Sequence, residues 1–172
     1  MRVHIPHALH FVFLPLFLAI SWTFGAEKAP ARWPLLIKDT PFANIELALT
    51  PEELERGLMK RKSLAEDGGM LFVFQKPGIH KFWMKDTWIP LDVIFVDTKG
   101  VVTAIHTMTP EPRKPNESEA AYCGRLTTYS SQKPVIAAIE LNAGTAASLG
   151  LEVGDTIELR LEALTLRSGS VP

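Results

Sequence analysis

Between residues 69 and 107 one pattern recurs four times: a short apolar or alternating run, then a break. The runs are "GMLFVF" (69–74), "IHKFWMK" (79–85), "LDVIFVD" (91–97) and "VVTAIHT" (101–107), separated by "QKPG", "DTWIP" and "TKG". Runs this short, bounded by Gly, Pro and Asp, suit strands joined by tight connections and are too brief for helices. They predict an antiparallel meander. "NIELAL" (44–49), "PVIAAIEL" (134–141) and "TIELRLEAL" (156–164) add three more strand candidates. The expected class is therefore α+β, predominantly antiparallel β, as a meander or a partly closed barrel with a few short helices.

Helix signals are few and local. Thr50 is followed by Pro51 and, three residues on, by Glu53, the arrangement of a capping box with proline at the first helical position. A helix is expected from Pro51 to Lys60. Gly57 would lie inside it, where glycine costs about 1 kcal/mol relative to alanine, so a close packing contact is the reason to expect there. Gly69 and Gly154 read as turn positions, and a second short helix is expected near "TAASLG" (145–150).

The 172 residues, 47% of them hydrophobic, suffice for one domain with a core. The first 25 residues hold one early cation, Arg2, an apolar run from Phe11 to Ile20, and small residues at Gly25 and Ala26, the layout of a secretory signal. The chain thus divides into a signal peptide (1–25), a proline-broken tether (26–36), a single globular domain (37–166) and a flexible tail (167–172). Retention of the first segment would make it the sole membrane contact. The expected location is periplasmic or extracellular. Residues 108–133, rich in proline and polar side chains, read as a long excursion, mobile and bordering the functional surface.

Charge and cysteine usage exclude some classes. Without Arg2, 18 cations become 17 against 19 anions, so no basic excess draws nucleic acid. Cys123 is the only cysteine, which rules out an internal disulfide and reads as a small, partly buried apolar residue. There is no GxSxG, no HExxH, no glycine-rich phosphate loop and no CxxC. Only His80 and His106 remain after the signal, too few for a three-histidine zinc centre.

"ERGLMKRKSL", "GGMLFVF", "FWMKDTWIPLDVIFVD" and "GDTIEL", in this order and spacing, resemble the domain-of-unknown-function family one-ninety-two over roughly residues 38–165. The resemblance implies a compact, mostly β domain, often exported in bacteria, and implies nothing about activity. Its characteristic positions fall here on Arg56, Gly57, Leu58, Met59, Arg61, Gly69, Met70, Phe72, Trp83, Met84, Thr87, Pro90, Leu91, Asp92, Phe95, Gly154 and Asp155. The excursion before residue 134 departs from that pattern.

Most of those positions are core candidates; the polar ones are candidates for a site. "HKFWMKDTWIPLD" (80–92) mixes aromatics and charges as a pocket wall does. Closing "TKG" as a three-residue hairpin loop pairs Asp97 with Val101 and would set Asp92 opposite His106, a carboxylate that could orient and basify an imidazole. The ligand-binding candidates are accordingly Arg56, Trp83, Lys85, Asp86, Thr87, Asp92 and His106. Asp86 and Thr87 also read simply as turn caps. The expectation is a monomeric binding or accessory module of the cell envelope, without cofactor, metal site or nucleic acid partner, acting on a small molecule or envelope component, rather than an enzyme. Two alternatives stand beside it: a hydrolase using the Asp92/His106 pair, and a Cu(I) protein using His80 and Met84, since thioether and imidazole ligands favour that ion.

Overall fold

The computed structural model describes residues 31–160. The chain forms β1 (Leu35–Ile37), β2 (Thr40–Phe42), β3 (Asn44–Ala48), α1 (Pro51–Arg56), β4 (Gly68–Gly78), β5 (Lys81–Phe82), β6 (Leu91–Val96), β7 (Val102–Met108), α2 (Glu119–Arg125), β8 (Tyr129–Ser130), β9 (Val135–Asn142) and α3 (Thr145–Ser148). Strands predominate and the pairing is mainly antiparallel, so the class is α+β as the sequence indicates.

The topology is neither a meander nor a barrel. One five-stranded sheet has the order β3-β4-β9-β6-β7, so β9 takes the place between β4 and β6 that the meander would have given to the run 79–85. The physical reason is burial: Ala137, Ala138, Ile139 and Leu141 of β9 are fully buried and need a strand on each side. β3 runs parallel to β4, because the segment carrying α1 crosses over between them.

The sheet buries both faces. On one, Ile45, Leu71, Ile94, Ile139 and Leu141 pack against the β1–β2 hairpin, α3 and Ile157. On the other, Met70, Phe72, Val93, Phe95 and Ala138 pack against Leu58, Met84 and Phe82. Residues 31–36, expected as tether, belong to the fold, since Trp33 N–H donates to Ile45 O and Ala31 O accepts from Leu47 N–H along β3.

Local chemistry sets the element ends. Thr50 and Glu53 form the expected capping box, yet α1 stops at Arg56 and not at Lys60, because Gly57 turns out of the helix at φ 47° and ψ −133°. Gly69 is no turn residue. It lies within β4, where a Cβ would overlap the Glu140 carbonyl oxygen and come within 2.8 Å of Ile45 Cδ1. Gly154, at φ 101°, does occupy a turn. Of "IHKFWMK" only Lys81 and Phe82 are strand, and "TIELRLEAL" contributes a single bridge, Thr156 to Val101, before the described residues end. The signal and tail regions lie outside the described residues. The excursion 108–133 contains α2 and β8, and Tyr122 within it is buried with its hydroxyl accepting from Asp86 N–H at 2.9 Å.

Candidate functional site

A row of residues crosses the sheet on the face beneath α1: Glu46, Met70, Glu140, Val93 and His106 stand side by side on β3, β4, β9, β6 and β7. Two of the five are acids facing apolar neighbours, where an unpaired charge is costly. They meet that cost differently. Glu46 receives a two-pronged contact from Arg61, with Nη1 at 2.9 Å and Nη2 at 2.6 Å from its oxygens. Glu140 is 6% exposed, and burial pushes its carboxyl up to about 8.

Glu140 is the floor of a cavity of about 270 Å³. Leu54, Leu58, Met59, Phe72 and Phe82 supply apolar wall; Glu55, Arg56, Lys81 and Trp83 stand at the rim, and Thr87 closes one side. Phe72 and Phe82 meet edge to face at 4.9 Å, and Phe82 meets Phe95 in the same way at 5.4 Å, the arrangement the ring quadrupoles favour. Gly57 lets the chain pass close over Phe72: a Cβ there would stand 3.2 Å from Phe72 Cζ, and at an ordinary contact distance of 3.9 Å from Glu140 Oε2.

The structure gathers some of the expected site residues and disperses others. Arg56, Trp83 and Thr87 line the cavity. Lys85 lies outside it, with Nζ 2.7 Å from Glu119 Oε1 and 5.9 Å from the centre of the Trp83 ring, and the Glu119 carboxylate holds its ammonium above the ordinary lysine range. Asp86 is a turn residue at φ 48°, its backbone fixed by Tyr122 Oη and by Lys60 N–H.

Asp92 and His106 are not paired. Asp97 does bond Val101, but an extra residue bulges from β7 between the partners of Phe95 and Val96, so Asp92 falls opposite Thr107 and His106 opposite Val93. One residue of slip sends the two side chains to opposite faces. Asp92, fully buried, accepts from Thr107 Oγ1 at 2.7 Å and from Ala146 N–H at 2.9 Å. Its role is to tie β7 and α3 to β6. His106 Nε2 meets Ser130 O at 2.8 Å beside Phe95 and Tyr129. The pair that motivated a hydrolase is therefore not formed. Of the copper candidates, Met84 is buried among Leu91, Met108 and other apolar side chains, and His80 stacks on Phe74 with ring centres 3.5 Å apart.

Sequence reasoning missed Glu140, although the signal was present. It interrupts the apolar run "VIAAIEL" in phase with Ala138, as Asp92 interrupts its own strand.

The profile of DUF192, the domain-of-unknown-function family one-ninety-two, described as uncharacterized ACR, matches residues 36–159. The chain belongs to the DUF192 family. Two solved structures resemble this DUF192 chain throughout the domain. One is a Sinorhizobium meliloti 1021 protein named as a candidate transcription regulator, 35% identical, covering 77% of this chain and 96% of its own, with a TM-score of 0.61. The other is a protein of unknown function from Novosphingobium aromaticivorans DSM 12444, 32% identical, covering 76% and 92%, also with a TM-score of 0.61. No curated protein matches the chain.

Proposed function

We propose that this DUF192 protein is an exported binding module of the bacterial cell envelope that holds a small molecule in the cavity over Glu140. One observation carries the binding reading: a carboxyl nine-tenths buried lines a cavity whose wall is largely apolar and aromatic, with Gly57 beside it. A fold gains nothing in stability from such a group, because a leucine there would cost less, whereas a few polar groups set in apolar and aromatic walls are how small-molecule sites orient a ligand. The volume sits at the small end of such sites, which favours a metabolite over a polymer.

Export rests on the layout of the first 25 residues. The transcription-regulator name of one relative supports DNA binding less well, because the exported chain, with 18 − 1 = 17 cations to 19 anions, lacks a basic excess.

The test is a titration of the isotopically labelled protein with the low-molecular-weight fraction of an envelope extract, followed by NMR. The expected response is concentrated at Gly57, the Trp83 indole N–H and Thr87, and lost in Phe82→Ala. Shifts confined to another surface, or none at all, would refute the reading.

A further inference from the structure

The rim of the cavity selects no sign of charge. Lys81 and Glu55 stand there exposed and opposite in sign, and Arg56 already has an interaction of its own. What the cavity specifies lies deeper. Within a wall of Leu54, Leu58, Phe72 and Phe82, the buried polar side chains are Thr87 and Glu140. Thr87 Oγ1 already donates its proton to Lys85 O at 3.1 Å. Glu140 is the group left with its capacity unused, since burial alone acts on its carboxyl and no cation stands close enough to hold it ionised. The flanking residues of the sheet face are Met70 and Val93; beyond them Glu46 is taken up by Arg61, and His106 Nε2 meets Ser130 O. We propose that the cavity takes an uncharged small molecule, with its apolar or aromatic body against Phe72 and Phe82 and a carbonyl-type oxygen accepting a hydrogen bond from the Glu140 carboxyl. This identification rests on the binding reading above and narrows its ligand.

The argument is one of desolvation. An anionic ligand would leave its own charge among Phe72, Phe82 and Leu58 with no cation inside to meet it. A cationic one would have to strip the carboxyl of its proton and then bury both ions, and the cost of taking two charges out of water can exceed what their attraction returns. An uncharged acceptor asks for neither. Burial raises the Glu140 carboxyl to about 8, so at neutral pH it carries a proton and offers one O–H donor from an apolar floor. A carbonyl, amide or similar oxygen satisfies that donor, and the rings take the rest of the molecule.

Three probes built on one ring separate the cases: benzamide, benzylamine and benzoate, titrated into the protein by NMR and calorimetry. Benzamide does not titrate in the range used, so any pH dependence of its binding belongs to the protein. It is expected to bind about tenfold more tightly than either charged probe at pH 7. Its affinity should be level from pH 6 to pH 7 and fall about tenfold from pH 7 to pH 9, with a proton taken up on binding at the higher pH. Glu140→Gln, which keeps a donor but cannot titrate, should hold benzamide within about threefold of wild type at pH 7 and remove the pH dependence; Glu140→Leu should weaken it about tenfold. Benzylamine binding as tightly as benzamide, with an affinity that climbs from pH 6 to pH 8, would overturn the inference in favour of a cation while leaving a binding site in place. Benzoate binding as tightly as benzamide, or benzamide indifferent to Glu140→Leu, would overturn it too. No response at the cavity to any of the three would overturn it as well, and the extract titration then decides the binding reading by itself.

Discussion

Glu140 and the two glycines that frame it carry most of the meaning at the scale of single residues. A carboxyl whose value is raised on folding keeps its proton in the folded state over a range where the unfolded chain has already lost it. Stability attributable to Glu140 is thus intact below the ordinary glutamate range, falls as pH rises from about 4.5 toward about 8, and levels off above. The slope within that window is of the order of 1 kcal/mol per pH unit. Thermal unfolding of the wild type should therefore lose ground to Glu140→Gln between pH 5 and pH 8; parallel curves would contradict the buried, unpaired carboxyl. Gly69 makes a steric prediction. Its absent side chain leaves room for the Glu140 carbonyl, Leu141 Cδ2 at 2.7 Å and Ile45 Cδ1 at 2.8 Å, so Gly69→Ala must push backbone apart in the middle of the sheet. A loss of about 3 kcal/mol in urea unfolding is expected, at the upper end of overpacking costs.

At the scale of elements, α1 is six residues long and has no buried residue, so its ends hold it. Glu53 Oε2 accepts from both Leu49 N–H and Thr50 N–H, which keeps its carboxyl below the ordinary range, and Thr50 Oγ1 accepts from Glu53 N–H at 3.3 Å. Thr50→Ala should cost about 1 kcal/mol. Because α1 supplies Leu54 to Arg56 of the cavity, hydrogen exchange at Gly57 and Leu58 should quicken while β9 stays protected; uniform protection would show that the cap is dispensable. This cap was legible in the sequence because it is written in adjacent residues. So were β3, β4, β6, β7 and β9, through runs of apolar residues. The register of β6 on β7 was not, because the bulge near Thr103 is fixed by contacts distant in sequence, Thr103 Oγ1 reaching both Phe95 O and Ser131 O. Nor was the place of β9, which depends on which strand most needs two neighbours. The bulge has its own test: Asp92→Asn should leave the His106 imidazole resonances in place, since the two lie on opposite faces, and a clear shift would restore the pairing the structure separates.

On the scale of the whole molecule, the sheet with its two covered faces begins further toward the N-terminus than the apolar pattern suggests, and this bears on where the protein resides. Ala31, Arg32 and Trp33 already run along β3, with Arg32 Nη1 donating to Asn44 Oδ1 at 2.6 Å. If the apolar segment ends at Gly25, only about five residues connect it to the sheet, a reach of at most roughly 17 Å at full extension. A retained segment would hold the sheet edge close to the membrane surface, whereas a cleaved one would free the domain with a short N-terminal strand addition. No helix among the described residues is long and apolar enough to cross a membrane, so any helical anchoring would have to come from outside them. The small residues at Gly25 and Ala26 favour cleavage. Expressed in a bacterial host with its own first 25 residues, the protein should appear in the periplasmic fraction, and intact mass should place its N-terminus at Ala26. A domain found in the membrane fraction with Met1 present would show the segment kept as an anchor. Recovery from the soluble cytoplasm with Met1 intact would exclude export altogether and remove the envelope from the proposed function, leaving the cavity over Glu140 to be tested against cytoplasmic solutes.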